Sequence, residues 1–158
     1  MVRIDELKKR MTRFCAWRDR CTTEAEKKLR ELGAGKDQIS QVLAWLMQEG
    51  YLDDVRFAGS YARGKFTNNQ WGRIKIIAGL RSLGINQEMI DEALGQIDES
   101  DYYETLLRQA QKKWDAIKTA KDPFDRKQKT IAYLVGKGYE TELALQVVDQ
   151  LPQNHKEQ

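Results

Sequence analysis

The amino-acid sequence predicts an all-α protein in which three three-helix repeats pack into an elongated, curved helical-repeat domain. Apolar residues recur at the 3.6-residue period of amphipathic helices, and no segment alternates convincingly at period two. A helix-ending sequence recurs at Gly33, Gly84 and Gly138, at spacings of 51 and 54 residues. The 158-residue chain is 41% hydrophobic and 32% charged. It is therefore long enough for a few small units that share a core.

Each repeat is expected to end one helix at a glycine and to continue into an amphipathic helix. Glycine suits a helix C-cap because it adopts a left-handed conformation without a Cβ clash. Apolar residues then follow each glycine at six, nine and thirteen positions, namely Ile39, Val42 and Leu46, then Ile90, Ala93 and Ile97, then Ala144, Val147 and Leu151. We expect about nine helices in repeats spanning about 1–51, 52–99 and 100–152. Pro152 is predicted to end the last helix, and 153–158 to form a short flexible tail.

In the first repeat, an apolar stripe from Ile4 to Cys15 predicts the upstream helix. Thr22 or Thr23 can cap the following helix. Thr23 and Glu26 have the spacing of a capping box, in which each side chain bonds an amide at the helix start.

In the second repeat, Asp53 can cap a helix that carries Phe57, and Thr67-Asn68-Asn69 is expected to break the chain. The helical period then resumes at four apolar residues, Trp71, Ile74, Ile77 and Leu80. In the third repeat, Asp122 followed by Pro123 predicts a helix start, since both residues deal with amides that have no intrahelical partner.

The sequence also argues against several kinds of site and location. Cys15 and Cys21 lie six residues apart, with no further Cys and with His155 as the only His, so two reduced structural thiols are expected. The amino terminus has acids where a signal peptide needs an apolar core, and no apolar run approaches about 18 residues. We expect a cytoplasmic monomer that does not contact a membrane.

The joint between the first two repeats carries a distinctive motif, Gly-Tyr-Leu-Asp-Asp-Val-Arg-Phe-Ala at 50–58. This motif resembles the signature of the RecX family of recombinase regulators. The elements Gly72-x-Ile74, Leu80 with Gly84-Ile85, and Lys137-Gly138-Tyr139 are similar to the family's second and third repeats. The likeness covers about 10–151. One departure is Cys21, which stands where the family usually has a hydroxyl residue.

The resemblance implies tandem three-helix repeats and a function without catalysis. It implies a protein that binds the RecA filament, lies in or along its groove and restrains its recombinase, ATPase and coprotease activities. Direct contact with single- or double-stranded DNA is also implied as possible for the family.

The middle of the chain is locally cationic, because no Asp or Glu occurs between Val55 and Gln87. Cationic side chains interleaved with Phe66 and Trp71 could meet phosphates and unstacked bases, although charge runs are usually solvated faces. The candidate partner or nucleic-acid contacts are Arg56, Arg63, Lys65, Arg73, Lys75 and Arg81, extended by Lys127 and Lys129. Near the amino terminus, Lys8, Lys9, Arg10 and Arg13 are interpreted as the exposed side of the first helix.

Catalytic chemistry has little support in the sequence. The adjacent carboxylates of Asp53 and Asp54 lack the His or third acid that metal or acid-base chemistry needs, and Arg56 is within reach of Asp53 for a local ion pair. No nucleotide or cofactor motif occurs, so no cofactor, metal or catalytic residue is predicted. Two alternatives stay open, a stand-alone DNA-binding regulator with a helix-turn-helix and a passive protein-interaction scaffold.

Overall fold

The computed structural model describes residues 2–151. Within them the secondary structure is helical, with nine α-helices and no β-strand, so the all-α prediction is confirmed. The helices are α1 (Ile4–Trp17), α2 (Thr22–Glu31), α3 (Lys36–Gln48), α4 (Asp54–Asn69), α5 (Arg73–Ser82), α6 (Gln87–Leu94), α7 (Glu99–Ala116), α8 (Pro123–Gly136) and α9 (Thr141–Asp149). None of them combines the length and apolar character that crossing a membrane requires. Pro152 and the predicted tail at 153–158 lie outside the described residues.

The three repeated glycines end helices as predicted. Gly33, Gly84 and Gly138 have φ angles of 86°, 78° and 98°, in the left-handed region that favours glycine. The residue after each glycine donates its backbone N–H to the carbonyl five positions earlier. These bonds are Ala34 to Leu29 at 3.0 Å, Ile85 to Leu80 at 3.1 Å and Tyr139 to Leu134 at 3.1 Å. The same C-cap is therefore built three times.

The apolar positions that follow these glycines form core. Eight of the nine predicted side chains are buried, and Ile39 is partly buried against the core of the first repeat. Since the positions share a helical phase, burial of one face of each helix explains the offsets of six, nine and thirteen.

The described residues form two compact units. The first combines the chain up to Tyr61 with Leu80–Ala93, and in it α1, α2 and α3 pack against one another. The second combines Ala62–Gly79 with the chain from Leu94 onward, and in it α7, α8 and α9 pack against one another. Helices α4 and α5 divide between the two units, and the last residue of α6 belongs to the second. The repeat boundaries stay a proposal.

The predicted capping box of Thr23 and Glu26 is wrong, because α2 begins earlier. Cys21 is the N-cap residue, and its backbone N–H donates to Glu24 Oε1 at 3.1 Å. Asp54 Oδ1 accepts from the backbone N–H of Thr22 at 2.8 Å and from its hydroxyl at 3.1 Å. A carboxylate 32 residues away therefore satisfies the helix start.

Replacing Asp54 with alanine is expected to lower the free energy of unfolding by about 1–2 kcal/mol, because it leaves two donors at the start of α2 without their acceptor. Urea denaturation followed by circular dichroism measures the change. The matched control is Asp37→Ala, which removes an exposed first-turn acid of α3 and should cost at most about 0.5 kcal/mol. Equal stability of the two variants would contradict the capping role.

The buried face of α5 differs from the predicted one. Leu80 is fully buried as predicted, but Ile74 is 54% exposed, and Ile76, which lies outside the predicted stripe, is fully buried. The register is set where the helix begins, since Ile74 donates its backbone N–H to the Gly138 carbonyl at 2.9 Å. This bond links residues far apart in sequence, so the apolar period alone could not reveal it. An apolar side chain is left on the surface beside Lys75.

Candidate polyanion-binding surface

The two carboxylates of the Gly50–Ala58 motif serve helix starts. Asp53 Oδ1 accepts from the backbone N–H groups of Val55 at 3.0 Å and Arg56 at 3.1 Å, which confirms Asp53 as the cap of α4. Asp54 bonds Thr22 as described above. Both acids therefore bond donors at a helix N-terminus, where negative charge is stabilised.

Arg56 forms its ion pair with Asp19 and not with Asp53. Its Nε lies 3.2 Å from Asp19 Oδ1, and its other nitrogens donate to the carbonyls of Gly50 at 3.2 Å and Tyr51 at 3.3 Å. The guanidinium thus holds the joint between α3 and α4 together.

The acid-free segment brings two lysines onto one indole ring. Lys65 Nζ lies 4.9 Å and Lys75 Nζ 4.6 Å from the centroid of Trp71, which is half-buried. Both distances are within the range of a cation–π interaction. Lys137 joins this group because its Nζ donates to the carbonyl of Asn69 at 2.7 Å. We call Lys65, Trp71, Lys75 and Lys137 the lysine–tryptophan cluster.

A crossing of two backbone segments positions the cluster. The N–H of Gly72 donates to the Lys137 carbonyl at 2.8 Å, and the Ile74 N–H donates to the Gly138 carbonyl at 2.9 Å. The Tyr139 hydroxyl donates to the carbonyl of Gln70 at 2.8 Å. The start of α5 is therefore fixed to the turn between α8 and α9, which places Lys75 and Lys137 near Trp71.

The lysine–tryptophan cluster carries a net positive charge. Among the described residues, neither Lys75 nor Lys137 has a carboxylate within ion-pair distance. The sequence around Trp71 supplies no acid, and Ile74 adds an exposed apolar side chain. Ammonium groups beside an aromatic ring and an apolar contact suit phosphates with neighbouring bases, or an acidic protein surface.

Arg73 does not join this cluster, because its side chain is held inside the second unit. Its guanidinium contacts Glu140 Oε2 at 2.9 Å and Glu99 Oε1 at 2.8 Å and lies 3.8 Å from the centroid of the Tyr102 ring. The Tyr102 hydroxyl accepts from the Arg73 backbone N–H at 2.9 Å and donates to Glu140. Only 18% of the Arg73 side chain is exposed, so it is poorly placed for a ligand.

Burial and hydrogen bonding shift the pKa values of this network. Burial alone raises the pKa of Glu140, but the hydrogen bonds that it accepts from Tyr102 and Arg73 lower it overall. Burial and the Glu140 bond raise the pKa of Tyr102, and burial raises the pKa of Tyr139 to about 12. The folded protein therefore keeps the Glu140 carboxylate charged and both phenols neutral.

The remaining predicted contacts each have a polar partner nearby. Arg63 donates to Gln96 Oε1, and Arg81 donates to Gln87 Oε1 at 2.7 Å. The two α8 lysines form ion pairs with acids, Lys127 with Asp149 at 3.1 Å and Lys129 with Asp125 at 3.3 Å. Of the eight predicted residues, the structure brings together Lys65 and Lys75. Lys137 and Ile74 are not among the contacts predicted from the sequence, because their positions beside Trp71 depend on the backbone crossing at Gly72.

The described residues contain no group of three His, Cys, Asp or Glu side chains arranged to hold a metal ion. Both cysteines are free and buried, and burial raises the pKa of each thiol. Cys15 and Cys21 are thus packed thiols of low reactivity.

Two family models match the chain and together cover more than half of it. The second three-helix domain of RecX matches residues 53–94, and the third matches 99–148. A regulatory protein RecX from Clostridium acetobutylicum is 34% identical over 119 residues, which cover 73% of this chain and 55% of that protein. One from Chlorobaculum tepidum is 29% identical over 136 residues, or 86% and 82% of the two chains. The chain spans little more than half the length of the clostridial relatives that it matches.

Two solved structures share the fold. The crystal structure of a regulatory protein RecX superposes with a TM-score of 0.84 at 24% identity, covering 93% of this chain and 72% of that one. RecX from Lactobacillus salivarius superposes with a TM-score of 0.81 at 21% identity, covering 95% and 97%. With two matched domains, relatives named as regulatory proteins and this shared fold, the chain belongs to the RecX family.

Proposed function

We propose that this chain is a cytoplasmic, monomeric regulator that binds a RecA-type recombinase filament on DNA and restrains its ATPase, strand-exchange and coprotease activities. It acts by binding, without bond-making chemistry of its own. Family membership and the regulatory role in the names of its relatives support this proposal. The resemblance of the Gly50–Ala58 motif to the RecX signature supports RecA as the partner.

The lysine–tryptophan cluster is the observation on which the proposed contact rests. Lys65 and Lys75 present two ammonium groups on the Trp71 ring, and Lys137 adds a third beside Asn69. A filament of recombinase on DNA offers phosphates and carboxylates, either of which attracts such a surface. Arg73 is not part of the proposed contact, because its guanidinium already forms ion pairs with Glu99 and Glu140.

Reversing the charge of Lys65 and Lys75 together is expected to weaken inhibition of the recombinase ATPase. The half-inhibitory concentration should rise at least about tenfold, equivalent to ~1.4 kcal/mol of binding. The assay titrates the Lys65→Glu/Lys75→Glu variant against filaments on single-stranded DNA, from substoichiometric to excess. Strand exchange provides a second readout, and circular dichroism verifies helicity.

The matched control is Lys118→Glu/Lys121→Glu, which makes the same net-charge change at two exposed lysines of the same unit. It should inhibit like the wild type. If both double variants inhibit equally well, the contact lies elsewhere. If the wild type leaves the recombinase unaffected at every ratio, the proposed function fails. Tight, sequence-dependent duplex binding without recombinase would instead favour the stand-alone DNA-binding regulator.

A further inference from the structure

An open groove between α1 and α2 in the first unit combines cations with aromatic rings. Its lining includes Arg10, Arg13, Arg20 and Lys28 together with Phe14 and Trp17, and no acidic residue belongs to it. Both helices lie before residue 53, so neither matched family model reaches this groove.

The positive charge of the groove is only partly neutralised. Arg10 forms an ion pair with Glu6, with 3.6 Å between Nε and Oε1. Neither Arg13 nor Lys28 has a carboxylate within ion-pair distance among the described residues. Arg20 donates to the Phe14 carbonyl at 2.9 Å. Burial, and to a lesser degree the neighbouring Arg18, lower the pKa of Arg20, and the nearby Glu24 offsets part of this shift. A surface with this excess of positive charge attracts anions.

The aromatic rings show which kind of anion fits. Arg20 lies 3.8 Å and Lys28 5.7 Å from the Phe14 centroid, so two cations already contact that ring. Trp17, at the end of α1, is 82% exposed, and the Arg20 guanidinium lies 5.9 Å from its ring. A large indole is seldom left this open in a folded chain.

We infer that the α1–α2 groove binds single-stranded nucleic acid, with phosphates on Arg13, Arg20 and Lys28 and one unpaired base stacked on Trp17. Stacking accepts any base because each has a flat π-face. A paired base keeps its faces inside the duplex, so this site selects single strands. An acidic peptide would satisfy the cations but would leave the Trp17 ring without a planar partner. The inference is independent of recombinase binding.

The test measures binding of a fluorescein-labelled 15-nucleotide oligodeoxythymidine to the full chain by fluorescence anisotropy, without recombinase. Each substitution is made in the wild type and in the Lys65→Glu/Lys75→Glu background, which separates the groove from the lysine–tryptophan cluster. Trp17→Ala should weaken binding roughly 5- to 100-fold, whereas Trp17→Phe retains most of it. Affinity should also fall steeply with added salt.

The charge control uses neighbouring lysines of α2. Lys28 lines the groove, whereas Lys27 is exposed and does not. Lys28→Glu should weaken oligonucleotide binding at least about fivefold, and Lys27→Glu, with the same net charge, should change it less than twofold. Circular dichroism should be unchanged in Trp17→Ala, since that side chain is almost fully solvated.

Three results would overturn the inference. The first is that the oligonucleotide does not bind at low salt. The second is that the Lys27 and Lys28 charge reversals have equal effects. The third is that a hairpin duplex binds with the same affinity as the single-stranded oligonucleotide. If Trp17→Ala changes filament inhibition but leaves oligonucleotide binding intact, the groove is a protein contact instead. Each of these results leaves the recombinase assay of the wild type unaffected, so the proposed function is judged separately.

Discussion

Replacing Gly72 with alanine is expected to lower the free energy of unfolding by at least about 3 kcal/mol, because the added methyl group has no space. An ideal Cβ on Gly72 would lie 2.3 Å from the carbonyl carbon of Gly138, 2.4 Å from its oxygen and 2.4 Å from the Tyr139 nitrogen. All three atoms are backbone, so no side chain can rotate out of the way. The two segments must move apart.

Separation of the segments breaks the hydrogen bonds of the crossing. The bonds from the Gly72 and Ile74 N–H groups to the carbonyls of Lys137 and Gly138 would lengthen, at about 1 kcal/mol each. Gly138 is constrained in the same way, since its φ is 98° and a Cβ on it would lie 2.4 Å from Lys75 Cβ. The crossing therefore requires glycine on both sides.

Urea denaturation of Gly72→Ala against Gly136→Ala provides the measurement. Gly136 lies in the last turn of α8, and a Cβ there meets nothing within 4 Å. Alanine at that position should leave stability unchanged or raise it by up to about 1 kcal/mol, since alanine is the better helix former. Similar unfolding midpoints for the two variants would show that the segments do not approach so closely.

The same substitution carries a functional expectation. Because the crossing brings Lys75 and Lys137 to the neighbourhood of Trp71, a Gly72→Ala protein that remains folded at low temperature should inhibit the recombinase less well than Gly136→Ala.

Local sequence signals were sufficient to predict most of the fold. The left-handed glycines at Gly33, Gly84 and Gly138, and the apolar offsets that follow them, report helix ends and buried faces through interactions within a few residues. The Asp122-Pro123 start is confirmed for the same reason, as Asp122 Oδ1 accepts from the Asp125 N–H at 2.7 Å.

What the sequence could not show depends on contacts between distant residues. The cap of α2 needs Asp54, which is 32 positions from Thr22, and the register of α5 needs Gly138. Within the candidate site, Lys65 and Lys75 could be picked out because the segment lacks acids. In the sequence Arg73 is indistinguishable from these lysines, but in the structure its guanidinium pairs with Glu140, 67 residues away.

Removing the charge of Glu140 is expected to destabilise the second unit by about 2 kcal/mol at neutral pH, because the Arg73 guanidinium would lose its partly buried partner. The side chains of Arg73 and Glu140 are 18% and 29% exposed, so solvent screens this pair weakly. Glu99 cannot replace Glu140, since its side chain is 88% exposed.

The pH dependence of stability should follow from the lowered pKa of Glu140. Its unfolded pKa is about 4.5, and its folded pKa lies below that value. The carboxylate therefore contributes its full stability above about pH 4.5, and this contribution is lost as the pH falls through the folded pKa. The difference between wild type and Glu140→Gln should shrink on acidification, which urea denaturation at a series of pH values measures.

A double-mutant cycle decides whether Arg73 is a structural or a binding residue. The cycle of Arg73→Met with Glu140→Gln should give a coupling of about 1–3 kcal/mol. The control cycle, Arg30→Met with Glu26→Gln, uses an exposed pair within α2 and should give about 0.5 kcal/mol or less. Coupling as weak as in the control would mean that Arg73 is not held by Glu140, and would restore it as a candidate contact for the filament. Strong coupling would mean that a charge reversal at Arg73 destabilises the fold, so its effect on filament binding could not be interpreted. The charge reversals at Lys65 and Lys75 would then be the valid test of the proposed contact.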